Sequence, residues 1–313
     1  MVPAVEVERG RSRLVPELAR DEGHFDRSGE PFGTASIVLQ FRSVTMRLDD
    51  LSRLQAENLA RRYRRFIVAG DTDPSVSISF RRAGVAHFLE PRRDGTPETY
   101  RLESRRRDGD LALWSYEFAG RLNTSSGGAE LALVAETGEL FDRGLENFLR
   151  ALTASLILEQ GGLLLHASAV VRGGRAYLFF GPSGRGKTTV TLLSPGDVVL
   201  SDDLSLVVRN GDRFEAAGIP FGMAHHRIPD TNASFPIASL NALSQGSRAR
   251  RQPLTGAAAV AEIVASLPFV MQETGQSGRA LEVVGRLLQE VPAYRLWFRK
   301  DPSFWTVVEE EAR

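Results

Sequence analysis

The run Gly181-Pro182-Ser183-Gly184-Arg185-Gly186-Lys187-Thr188 matches G-x-x-x-x-G-K-[ST] and constrains this chain more than any other stretch. The apolar segment 176–180 before it reads as a buried strand and 187–193 after it as a short helix, so the local unit is strand, loop, helix. Glycines let such a loop adopt positive φ and bring backbone N–H groups to phosphate oxygens, and the helix start adds partial positive charge. Lys187 can reach the β- and γ-phosphates and the Thr188 hydroxyl can ligate Mg²⁺, with Thr189 completing the candidate ATP-binding set. From this chain's own residue frequencies, a chance match has a probability of roughly one in several hundred.

Lysine usage strengthens the signal. Of the 39 basic residues only two are lysines, Lys187 and Lys300. A chain that uses arginine almost everywhere else has a compact ammonium at the position where one is preferred to a guanidinium fork.

Ser201-Asp202-Asp203 follows the apolar run 198–200, which reads as a strand ending in two adjacent carboxylates. In phosphoryl transfer one carboxylate holds Mg²⁺ and another accepts the proton of the attacking hydroxyl. Segments 204–209 and 212–216 then alternate around Asn210-Gly211, a two-residue hairpin signal. An ordinary mononucleotide-binding sheet would continue into a crossover helix instead. His166 lies just before the alternating run 167–171, and a lone histidine is more often a packed or surface residue than a functional one. His225 and His226 are less well placed, and the histidine spacing does not suit a zinc site.

Composition narrows the partners. Equal numbers of basic and acidic residues, 39 of each, remove any global drive toward nucleic acid or an anionic membrane. There is no cysteine, which excludes disulfides and thiolate chemistry. No apolar run of membrane-spanning length occurs, and the charged start (Glu6, Glu8, Arg9, Arg11, Arg13) is unlike a signal peptide. The expectation is a cytoplasmic protein.

The expected fold class is α/β of the α+β kind. Residues 1–33 read as a loose, flexible arm, 34–140 as an N-terminal α+β domain for recognition of a substrate or partner, and 141–313 as the phosphate-loop domain with a mixed sheet. Strands are expected at 36–41, 76–80, 98–103, 111–118 and 130–134, with a helix at 49–65 capped by Asp49. The spacing of Leu145, Phe148, Leu149, Leu152 and Leu156 predicts a helix over 141–160, ended by Gly161-Gly162. Further helices are expected after Thr255 and near 278–289, and a final strand at 293–298. Arg92, Arg93, Arg101, Arg105, Arg106 and Arg107 read as a solvated surface, as do Arg227, Arg248, Arg250 and Arg251, which are also candidates for gripping phosphate or an acidic peptide.

Leu165-His166-Ala167-Ser168-Ala169-Val170, then Gly181 to Thr188, then Leu200-Ser201-Asp202-Asp203 resemble, in that order, HPr kinase/phosphorylase and its wider group, which share a core with ATP-dependent phosphoenolpyruvate carboxykinase. The matching stretch is roughly 163–222. The resemblance implies ATP and Mg²⁺ as cofactors, with Lys187 and Thr188 on them, His166 near the transferred phosphate, Asp203 as catalytic base and Asp202 beside the metal. It leaves open which aspartate has which role. Ala217-Gly218-Ile219-Pro220-Phe221-Gly222 stands where HPr kinase/phosphorylase carries a Gly-rich signature with a metal-binding glutamate, which argues against HPr as substrate.

The chain is similar in character to the divergent kinases that phosphorylate a serine of lasso-peptide precursors. The implied activity is γ-phosphoryl transfer to a serine hydroxyl of a peptide or protein, with a homo-oligomer implied by resemblance alone. Alternatives are a non-catalytic, ATP-responsive binding module and a kinase for a small-molecule hydroxyl such as free serine.

Overall fold

The computed structural model describes residues 29–69, 73–89, 100–221, 232–269 and 276–310. Seven strands form the first sheet: β1 (Ala35–Phe41), β2 (Val44–Leu51), β3 (Val76–Arg82), β4 (Glu103–Arg107), β5 (Asp110–Trp114), β6 (Phe118–Asn123) and β7 (Gly128–Leu133). Their order is β1-β2-β3-β7-β6-β5-β4, parallel where β3 meets β2 and β7 and antiparallel elsewhere. Helix α1 (Arg53–Arg62) follows β2.

The expected helix start at Asp49 is corrected. Asp49 and Asp50 belong to β2, and Ser52 caps α1 because it forms a reciprocal capping box with Gln55 that satisfies two backbone N–H groups. The expected strand 111–118 is instead the end of β5 and the start of β6, with Ser115 N–H bonded to Phe118 O across the turn between them. Of the expected strand 98–103, residues 98 and 99 lie outside the described residues and only Glu103 is in a strand. The last residues of the expected arm are packed: Gly29 N–H donates to Arg82 O, and Phe32 is buried with its ring edge-on to Phe141. Residues 1–28 lie outside the described residues.

Helix α2 (Gly138–Glu159) runs between the halves of the chain and buries Phe141, Leu145, Phe148, Leu149 and Leu152. Its end carries the signature of a Schellman motif: Gly161 has φ +77°, Gly161 N–H bonds Leu158 O and Gly162 N–H bonds Ile157 O.

The second sheet has nine strands: β8 (Leu163–Leu165), β9 (Ala167–Arg172), β10 (Arg175–Phe180), β11 (Val198–Ser201), β12 (Ser205–Asn210), β13 (Arg213–Ala217), β14 (Ser234–Gln245), β15 (Arg250–Leu254) and β16 (Ala293–Phe298). The path is β11-β9-β10-β14-β13-β12-β8, with β16 on β14 and β15 on β16. The long β14 serves two neighbourhoods, pairing β13 through Ser234–Pro236 and then running parallel to β10 and β16. The β12–β13 hairpin forms with Asn210 opposite Arg213, so the two-residue loop is Gly211-Asp212, one position later than expected.

Helix α3 (Lys187–Leu192) and α6 (Phe304–Glu310) cover one face of this sheet, where Val190, Phe179, Phe298, Phe304 and Trp305 form a separate buried cluster. On the other face, α2, α4 (Gly256–Val264) and α5 (Gln276–Glu290) contribute to a cluster that reaches from Phe32 to Ala293 through both sheets. Phe41 and Tyr63 of the first half meet Phe221 of the second edge-on, at 5.5 and 6.0 Å. The fold is α+β, with two mixed sheets and six helices among the described residues, and no described helix is long and apolar enough to cross a membrane.

Candidate functional site

Four strands of the second sheet, β11, β10, β14 and β16, run in the same direction, because β9 is antiparallel to both β10 and β11 while β14 is parallel to β10 and β16. Their carboxyl ends lie along one edge, where open sheets of this kind place their ligands. His166 joins that edge because it precedes β9, whose amino end lies there. A cavity of about 470 Å³ opens at the edge, lined by His166, the loop from Ser183 to Thr189, Asp202 and Asp203, together with Gln245, Phe298 and Lys300.

The loop leaves β10 at Gly181, with φ +142°, and turns into α3 through Gly186, with φ +111°. A side chain at 186 would be strained in that conformation and would overlap Phe298, whose ring passes within 2.7 Å of where its Cβ would lie. No described group accepts from the backbone N–H of Ser183, Gly184, Gly186, Lys187 or Thr188. These donors border a cavity that also contains an ammonium, which suits a polyanion.

Lys187 is only 8% exposed. Its Nζ donates to Gly181 O at 2.8 Å and to Pro182 O at 3.5 Å. Gly181 and Pro182, expected as nucleotide-binding residues, thus hold the lysine and do not line the cavity. Burial holds the Lys187 ammonium below its ordinary pKa, and the nearby Asp203 carboxylate partly offsets that shift.

Opposite the loop, His166 Nε2 lies 2.8 Å from Asp203 Oδ1, and Asp203 N–H donates to Ser201 Oγ. The main chain that carries the imidazole is tied down, since the backbone N–H of His166 donates to Ser266 O at 2.8 Å. Asp202 lines the same cavity. Among the described residues no three His, Asp or Glu side chains form a metal cage. Mg²⁺ does not require one, because it is commonly held by one or two carboxylates plus phosphate oxygens, and the cavity lining includes the Asp202 carboxylate and, as a further oxygen ligand, the Thr188 hydroxyl.

Residues 149–312, more than half of the 313-residue chain, match the profile of a family described as SynChlorMet cassette protein ScmC. The chain belongs to this family. The ScmC match includes every candidate site residue, the ends of β14 and β16, and α6. No curated protein matches the chain.

Three cavity residues of this ScmC-family chain, Gln245, Phe298 and Lys300, escape motif reading. Gln245 Nε2 donates to Gly184 O at 3.3 Å and ties the end of β14 to the loop. Lys300 had a visible signal, being one of two lysines in the sequence. The candidate anion-binding arginines divide differently. Arg250 and Arg251 lie over the rings of Trp297 and Tyr294, at 3.8 and 3.5 Å, and Arg251 also donates to Val308 O, so both have packing roles. Arg248 is exposed, while Arg92, Arg93, His225, His226 and Arg227 lie outside the described residues.

Proposed function

We propose that this chain binds ATP with Mg²⁺ in the 470 Å³ cavity and transfers the γ-phosphoryl group to a serine hydroxyl of a peptide or protein. The observation that carries the reading is the convergence on one cavity of Lys187, held by its own loop's carbonyls, and the His166–Asp203 pair. The family description names no reaction, so the reading rests on the site.

Each side chain has a role that its position supports. Backbone N–H groups of the loop and the Lys187 ammonium bind and orient the phosphates. Asp203 accepts the proton of the attacking hydroxyl, and His166 acts through it by holding the carboxylate, a reading that the 2.8 Å His166–Asp203 contact supports. Asp202 and the Thr188 hydroxyl are the residues that would hold Mg²⁺, which when bound neutralises charge on the phosphates. This gives each aspartate one of the two roles that the HPr-kinase resemblance left open between them. A cytoplasmic location and self-association complete the proposal.

The experiment is to incubate the full chain with ATP, Mg²⁺ and serine-containing peptides and to look by mass spectrometry for the gain of one phosphoryl group, with Asp203→Asn as the control. Normal nucleotide binding with no transfer to any acceptor would favour an ATP-responsive binding module.

A further inference from the structure

The two lysines of the chain are 113 positions apart in sequence, at 187 and 300, yet both line the same cavity. Lys187 lies within the phosphate loop. Lys300 lies two residues beyond the end of β16, and its placement follows from strand order. Across the sheet the sequence of strands is β11, β9, β10, β14, β16, so the aspartates after β11 and the lysine after β16 stand at opposite ends of the site edge with the loop between them. With neighbouring strands about 4.8 Å apart, four steps separate those ends by roughly 19 Å.

The frame that carries Lys300 is fixed to the loop. Phe298 packs against Gly186, Gly246 N–H bonds Phe298 O at 3.0 Å, and Gln245 at the end of β14 donates to Gly184 O. The charges beside Lys300 are already engaged. Arg299 pairs with Asp301, and the Asp301 carboxylate also accepts from Ser303 N–H. Hydrogen bonds from Ser303 and Arg299 together hold Asp301 down at about 2. Lys300 has no carboxylate partner among the described residues, and it borders a cavity whose loop already offers unclaimed N–H donors.

We propose that Lys300 is a second phosphate-binding cation of the site, and that it holds the phosphates nearest the nucleoside. This rests on the reading of the cavity as a nucleotide site. The transferred group must lie by Asp203, so a triphosphate crossing the loop from there runs toward β14 and β16, and of its phosphates the α- and β-groups lie nearer to Lys300, whose side chain lines the same cavity. Lys300 therefore binds the part of the nucleotide common to ATP and ADP.

The test is calorimetric titration of the full chain with Mg-ADP and Mg-ATP, using wild type, Lys300→Met and Lys300→Arg. Loss of one charge-assisted hydrogen bond predicts that Lys300→Met weakens both nucleotides by roughly ten- to a hundredfold. Lys300→Arg should recover most of that affinity, and the melting temperature without nucleotide should stay unchanged because the side chain is exposed. Equal affinity in Lys300→Met and wild type would overturn this inference and leave the proposed function standing. A loss confined to Mg-ATP would also overturn it, by moving Lys300 to the γ-phosphate. A wild-type chain that binds neither nucleotide would overturn the proposed function itself.

Discussion

The ring of Phe298 occupies the space that a side chain on Gly186 would need, with Cζ only 2.7 Å from the position of its Cβ. Strand β16 is thereby packed against the phosphate loop, and the loop's last glycine is required twice, for its φ of +111° and for this contact. Gly186→Ala should cost about 1–3 kcal/mol from backbone strain, with the overlap added to it. Urea unfolding should report that loss and calorimetry a loss of Mg-nucleotide binding. Adding Phe298→Leu relieves the overlap and leaves the strain, so it should recover only part of the stability. An alanine variant that unfolds and binds like wild type would contradict this.

His166 and Asp203 form a unit, so their substitutions should not add. Asp203→Asn should lower phosphoryl transfer by roughly 10²–10⁴ while leaving nucleotide affinity within severalfold, as expected for loss of a general base. His166→Ala should cost less, because it removes only the group that holds the carboxylate at 2.8 Å. The double variant should then be no slower than Asp203→Asn alone, since both changes act on one proton transfer. Losses that multiply would place His166 in a separate role.

Local signals carried much of this structure and non-local ones did not. The loop with its flanking strand and helix, α2 and β16 are readable because each depends on spacing within a few residues. Asp49 misled because any acidic residue before an apolar period resembles a cap, while the Ser52–Gln55 box that wins needs both partners in place. Strand β14 escaped because eight of its residues, Ile237 to Ser244, are buried and leave no alternation to read. Gln245 escaped with it. The gathering of Gln245, Phe298 and Lys300 at the loop depends on β14 and β16 pairing in parallel, which periodicity along the chain does not encode.

Gly120 gives a test of the fold that leaves the site alone. It faces α2, and a Cβ there would meet Phe148 Cε2 at 2.1 Å. Gly120→Ala should destabilise the protein by about 1–3 kcal/mol through overpacking, visible in urea unfolding. Combining it with Phe148→Leu should cost less than the sum of the two single changes, because the smaller side chain makes room for the methyl. Mg-nucleotide affinity should not change in the folded fraction. Additive costs would mean that α2 and β6 shift apart when either residue changes.

The pH dependence of stability provides a further test, through Lys187. Burial holds its ammonium below the ordinary value of 10.5, with Asp203 only partly compensating. Between the folded and unfolded pKa values the unfolded chain binds more protons, so this lysine makes stability rise with pH across that interval. At any pH below both values the ammonium is charged in both states and its contribution is flat. Relative to Lys187→Met, wild type should therefore gain stability as pH climbs toward 10.5, read from urea unfolding at a series of alkaline pH values. Bound phosphates favour the charged form, so Mg-ADP affinity of wild type should fall over the same interval as binding takes up a proton. A guanidinium stays charged throughout, so whatever affinity Lys187→Arg retains should not vary with pH on account of position 187. A wild-type-minus-Met difference that stays flat up to 10.5 would mean that the carbonyls of Gly181 and Pro182 compensate fully for the ammonium's burial.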